Sequence, residues 1–192
     1  MPADYLALLR GINVGGNNKI RMADLAAIFI EAGCKEVSTY IQSGNVLFNA
    51  NPTLVQKIPE LVTTAMQQRL SLRIPVILRT RAQLQTAIAA NPYPEAAATP
   101  KLLHLLFLAD TPTASSISSL DPNRSAPDRY TVLGRDIYLC LATGVANTKL
   151  TNAYFDSRLN TLSTGRNWLT ATKLLELMQA GCKIEGSCKP PS

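Results

Sequence analysis

Four cysteines and a single histidine are all the thiols and imidazoles in this 192-residue chain, and their spacing suits no metal. The cysteines stand at 34, 140, 182 and 188 with no C-x-x-C pair, and His104 is distant from each in sequence. That pattern reads as reduced thiols rather than a zinc site or a disulfide framework. The acidic residues make no D-x-D or H-E-x-x-H arrangement, so no metal is expected. The chain also lacks G-x-x-x-x-G-K-[ST] and G-x-G-x-x-G, which removes the P-loop and the dinucleotide fingerprint; no cofactor is implied. Ser43 has no G-x-S-x-G context, so a hydrolytic triad has no support.

Long apolar runs are missing too. "LLHLLFLA" is among the longest, far short of the roughly 20 residues that cross a bilayer. The opening "MPADYLALLRG" has neither a basic leader nor a small-residue cleavage site and reads as a first strand, which leads us to expect a cytosolic protein with no membrane partner. The net charge of +6 is spread evenly, with 9 basic and 6 acidic side chains in residues 1–100 and 10 and 7 in 101–192. An even surplus suits anionic small molecules, or weak contact with nucleic acid.

What is present is a regular alternation of strands and helices. "DYLALLRGI" is a buried strand. "KIRMADLAAIFIEAG" is a helix with Met22, Leu25, Phe29 and Ala32 on one face, stopped by Gly33. "EVSTYIQ" and "NVLFN" are strands about the turn "SGN". "PTLVQKIPELVTTAMQQRL" is helical in its second part, where Pro59 opens or kinks the helix. "RIPVILRT" is a fourth strand, placed at an edge by Pro75. The order βαββαβ is the split-βαβ pattern of ferredoxin-like folds. After a short helix at "RAQLQTAIAA", the segment "NPYPEAAATP" marks a boundary. The expected organisation is a ferredoxin-like subdomain over 1–90, a linker over 91–100 and a smaller α+β subdomain over 101–192.

That second part opens with the strand "KLLHLLFLA" and a polar stretch. "RYTVLGRDIYLCL" reads as a hairpin turning at Gly134 and Arg135, with Gly first as type II′ requires. Two closing helices are expected, one from Asn147 or Thr148 and one from Ser163 or Thr164 that ends before Gly181.

In a ferredoxin-like sheet the loop after the first strand and the turn between the second and third lie at one edge. Arg10, Asn13, Gly15, Gly16 and Lys19 of "RGINVGGNNK" therefore meet Ser43 and Asn45 of "QSGN". A strand-to-helix loop with basic side chains favours anions, although glycines and asparagines there also simply build a sharp turn. "STGRNWLT" adds Arg166, expected in the first turn of a helix, where a cation opposes the dipole and must answer to an anion, a carboxylate or a carbonyl. Asn152 is a candidate for the same surface, or an exposed helix residue. Trp168 begins an apolar series and reads as core, and His104, in the most apolar strand, reads as structural.

"LLRGINVGG", "KIRMADL", "VSTYIQSGNVLF", "ANPYP", "KLTNAYFDSRL" and "TGRNWLTATKL" together resemble the DUF1697 family of uncharacterised bacterial proteins, over about Tyr5 to Met178. The resemblance implies an α+β protein with a ferredoxin-like N-terminal subdomain, and no established activity. The chain departs from the family's closing "TRNWNT" at Gly165 and Leu169, and from its proline and polar residue before Gly144, where Ala142 and Thr143 stand.

Three functions remain open. The first is binding of a phosphate-bearing or other anionic small ligand, a nucleotide among them. The second is nucleic-acid binding, although Tyr40 and Phe48 do not make the RNA-reading aromatic motif. The third is an enzyme that works by positioning and electrostatics without a covalent nucleophile.

Overall fold

In the computed structural model, residues 3–99, 101–142 and 144–180 are described. The expected elements of the first half form: β1 (Tyr5–Leu9), α1 (Met22–Glu31), β2 (Lys35–Tyr40), β3 (Asn45–Asn49), α2 (Pro52–Leu70) and β4 (Val76–Thr80). The sheet order is β2-β3-β1-β4, antiparallel throughout. This is the split-βαβ order, with β4 at an edge after Pro75 as expected. The helix α2 is longer than its sequence suggests. It starts with Pro52 in the first turn, where a missing N–H costs nothing, and runs through Pro59. Asn51 caps it by accepting from the Leu54 N–H at 2.8 Å. Helix α3 (Arg81–Ala89) follows β4 under a capping box made by Thr80 and Gln83.

The second half repeats this plan, which its sequence conceals. Its elements are β5 (Leu103–Leu108), α4 (Ala114–Ser118), β6 (Arg129–Leu133), β7 (Asp136–Cys140), α5 (Asn152–Leu159), β8 (Ser163–Asn167) and α6 (Trp168–Ala180). The sheet order β6-β7-β5-β8 reproduces that of the first sheet element by element. The β6–β7 turn has Gly134 at φ 58 with Arg135 outside the positive-φ set, as a II′ turn requires.

Three boundaries differ from expectation. The polar stretch after β5 holds α4, a single short helix capped by Thr113. Helix α5 starts under a Thr151 cap, not at Asn147 or Thr148. "STGRN" is a strand paired with β5, and α6 begins only at Trp168. The β propensity of Thr164 and the pairing with β5 outweigh the helical periodicity that continues beyond it. Asn167 then caps α6, accepting from the Thr170 N–H at 2.7 Å. The expected stop at Gly181, and Cys182 and Cys188, lie outside the described residues.

Alternation along the central strands divides the core. Ala7 and Leu9 of β1 face α1 and α2, packing with Phe29, Phe48, Val62 and Met66. Leu6 and Leu8 face the other way and share a cluster with Leu103, Leu105 and Phe107 of β5. Leu84 and Ala87 of α3 and Trp168, Ala171 and Leu174 of α6 complete that shared core, and Tyr93 and Ala96 join it. Each fully buried Leu or Phe contributes about 1.5–3 kcal/mol, so the two halves are joined by apolar burial first. Trp168 is core, as its spacing implies. Cys34 is buried and free, and burial pushes its thiol pKa up to about 11.

Candidate functional site

Two buried arginines tie the halves together crosswise. Arg79 is fourth of the five residues in β4 and Arg166 fourth of the five in β8. Each side chain crosses to the other half, to the end of its central strand and to its hairpin turn. Arg79 donates through Nη2 to the Leu108 carbonyl (3.0 Å), the Arg135 carbonyl (2.7 Å) and Asp136 Oδ1 (3.1 Å). Arg166 donates through Nη2 to the carbonyls of Leu9 (3.0 Å), Ser43 (3.0 Å) and Gly44 (3.2 Å), and through Nε to Asn45 Oδ1 (2.5 Å). Asp136 opens β7 as Asn45 opens β3, so the two clamps are topologically equivalent.

Their chemistry is not equivalent. Arg79, only 2% exposed, has a carboxylate partner. Burial lowers its pKa while Asp136 opposes the change, and burial raises Asp136 against the pull of Arg79. Arg166, 7% exposed, faces an amide instead. Burial alone draws it down to about 10, with no carboxylate acting on it, so it stays charged at neutral pH. Its Nη1 is held by Thr164 Oγ1 (3.0 Å) and the Gly165 carbonyl (2.7 Å). All five guanidinium N–H groups are therefore matched by protein oxygens. Carbonyls answer this cation, and because it lies in a strand, the helix dipole plays no part.

Beside this clamp lies a cavity of about 510 Å³. Arg10 and Ser43 of the first half line it together with His104, Leu106, Leu139, Thr164 and Arg166 of the second sheet. Arg10, at its wall, forms an ion pair with Asp156 of α5. Ser163 donates to that carboxylate at 2.6 Å and accepts from Asn152 at 2.8 Å. The edge strand β8 adds a backbone donor. The Ala109 N–H bonds to the Leu162 carbonyl at 2.8 Å, so alternate residues 162, 164 and 166 pair with β5. Gly165 N–H then points to the free edge, and the residue has no side chain to cover it.

The N-terminal part of the sequence matches the model of the family described as "Protein of unknown function (DUF1697)" over residues 3–138. The chain belongs to the DUF1697 family. A solved structure similar to it is that of the conserved bacterial protein SP0830 from Streptococcus pneumoniae, with a TM-score of 0.67 and 22% identity, covering 93% of this chain and 99% of that one. That likeness concerns the fold. No curated protein matches the sequence.

Of the residues singled out in this DUF1697 chain, Arg10, Ser43 and Arg166 meet at the cavity, and Asn45 holds Arg166 from behind. Asn13, Gly16 and Lys19 line a separate concavity of about 540 Å³ with Arg21 and Gln42. Gly15 borders neither. Gly15 (φ 58) and Gly16 (φ 80) are the centre of a two-residue turn closed by the Asn17 N–H on the Val14 carbonyl at 3.0 Å. Asn13 pins the loop, accepting from Ile20 N–H at 2.9 Å and donating to the Ile20 (3.0 Å) and Gln42 (2.9 Å) carbonyls. These side chains shape the wall that carries Arg10. Leu106, Leu139 and Thr148 were not legible as site residues, because each becomes a wall only when the halves dock. Among the described residues no group of His, Cys, Asp and Glu could hold a metal, and no helix is long and apolar enough to cross a membrane.

Proposed function

We propose that this DUF1697 protein binds a small anionic ligand, a phosphate ester of mononucleotide size or less, in the cavity between the Arg10 loop and the second sheet. The observation that carries the proposal is the buried charge of Arg166, which has no carboxylate beside it although its counterpart Arg79 has Asp136. A buried cation left without a counter-charge attracts an anion far more strongly than a solvated one does. Arg166 acts through its field, since its donors are engaged. Direct hydrogen bonds come from Arg10, which has donors beyond the one given to Asp156, and from the Gly165 N–H. Leu106, Leu139 and Val145 leave room for an apolar body, and the volume is in the range of small-molecule sites.

The test is a thermal-shift screen with inorganic phosphate, nucleoside monophosphates, sugar phosphates and short RNAs, repeated on Arg10→Gln. A specific ligand at 100 times its Kd stabilises by about 2.7 kcal/mol. Arg10→Gln removes a charge-assisted contact, for an expected tenfold loss of affinity or more. A response to RNA oligomers alone would move the site to nucleic-acid recognition. No response to any of these compounds would refute the proposal.

A further inference from the structure

His104 stands on β5 beside Leu106, on the face turned away from the shared core, whereas Leu105 and Phe107 face into it. It is the sole histidine of the chain and lines the cavity. Its Nδ1 is buried and has no hydrogen-bond partner of normal geometry among the described residues. With that nitrogen enclosed, the ring edge open to the cavity is the one carrying Nε2. Burial lowers the pKa of the ring, and the Leu102 carbonyl, which favours a ring proton, opposes this without outweighing it. The imidazole is therefore neutral at pH 7 and carries one proton. With that proton on the enclosed Nδ1, the Nε2 lone pair faces the cavity as an acceptor.

We propose that His104 is a ligand-contacting residue whose Nε2 accepts a hydrogen bond from an amine or hydroxyl on the ligand, at the end remote from its anionic group. The inference rests on the anion-binding reading above and narrows it. The ligand is a phosphate ester on an apolar ring that carries an N–H or O–H donor. A neutral histidine suits this task because an imidazolium would offer a donor where the ligand also presents one. It would also add a second uncompensated charge to a cavity that already holds Arg166.

A single histidine makes the test direct, because a long-range ¹H–¹⁵N spectrum shows one imidazole. The full-length protein at pH 7.5 is titrated with inorganic phosphate, phenyl phosphate, and 3- and 4-aminophenyl phosphate, with affinities measured by calorimetry. In the free protein the spectrum should show the Nδ1–H form. An aminophenyl ester should bind about tenfold more tightly than phenyl phosphate, as one added hydrogen bond allows, and should shift the Nε2 resonance, which phenyl phosphate leaves in place. The preference should vanish in His104→Phe and return in part in His104→Gln, whose amide oxygen reaches the same position. Equal affinity for all the esters with an unmoved Nε2 signal would overturn the role of His104 while leaving the anion site standing. Failure of phosphate and every ester to bind would overturn both.

Discussion

Arg79 and Arg166 sit at the same position of the same topology, one in each half, and reach across to the same kind of hairpin turn. One meets the carboxylate of Asp136, the other the amide of Asn45. The loops beside them differ as well. Residues 10–21 separate β1 from α1, whereas only 109–113 separate β5 from α4; conversely, 141–151 separate β7 from α5 and only 50–51 separate β3 from α2. Both long loops border the cavity beside Arg166. The half-to-half clamp is thus a structural device used twice, and the cavity with its two long loops lies beside the copy that has Arg166.

The largest effect expected from breaking this comparison is at Arg79. Arg79→Leu strands the half-buried Asp136 carboxylate and should cost about 3–5 kcal/mol in urea unfolding. Arg79→Leu with Asp136→Leu should recover most of that loss, because an apolar pair leaves no orphaned charge. A double variant as unstable as the single one would show that the clamp's carbonyl bonds, not its ion pair, hold the halves.

The two hairpin turns offer a second contrast. Gly44 has φ 74, and a Cβ there would stand 2.7 Å from Leu9 Cβ; Gly134 has φ 58 with nothing within 4 Å. Gly134→Ala should cost about 1 kcal/mol through its left-handed backbone alone. Gly44→Ala adds overpacking against Leu9 and should cost about 2–4 kcal/mol. Equal losses in urea unfolding would mean that the first turn is free to move away from β1.

A smaller effect is expected from pH. The folded pKa of His104 lies below its ordinary value of 6.5, so the unfolded chain takes up the proton first. Its contribution to stability is complete above that value and is lost as pH falls through it, by at most about 1.4 kcal/mol per pH unit. The difference in unfolding free energy between pH 7.5 and 5.5 should therefore be smaller in His104→Phe than in the wild type. An identical difference would mean that the ring is solvated in the folded state.

The first half was legible because its signals are local: alternation in β1, the Gly33 stop, the "SGN" turn and Pro75. The second half carries the same topology with α4 and α5 shorter than α1 and α2, α4 being reduced to Ala114–Ser118, so no repeat shows in its sequence. "STGRN" reads as helix in sequence because its strand state depends on pairing with β5, 55 or more positions away. Arg10, Ser43 and Arg166 were legible as polar residues set against glycines. That Arg166 would be answered by carbonyls of the other half, and that His104 would open onto a cavity, depends on how two sheets dock, which no local pattern encodes.

The most direct test makes the second clamp resemble the first. Asn45→Asp gives Arg166 a carboxylate where Arg79 has one. It also removes the amide donor that now serves the Tyr40 carbonyl at 3.1 Å and Ser43 Oγ at 3.0 Å, so the gain and loss in stability should offset to within about 1 kcal/mol. Calorimetric titration of wild type and Asn45→Asp with the best-bound phosphate ester decides the matter. Weakening by about tenfold or more in the folded variant is the predicted result, since the carboxylate cancels the field that attracts the anion. Unchanged affinity in Asn45→Asp would contradict the claim that the uncompensated charge of Arg166 makes the site.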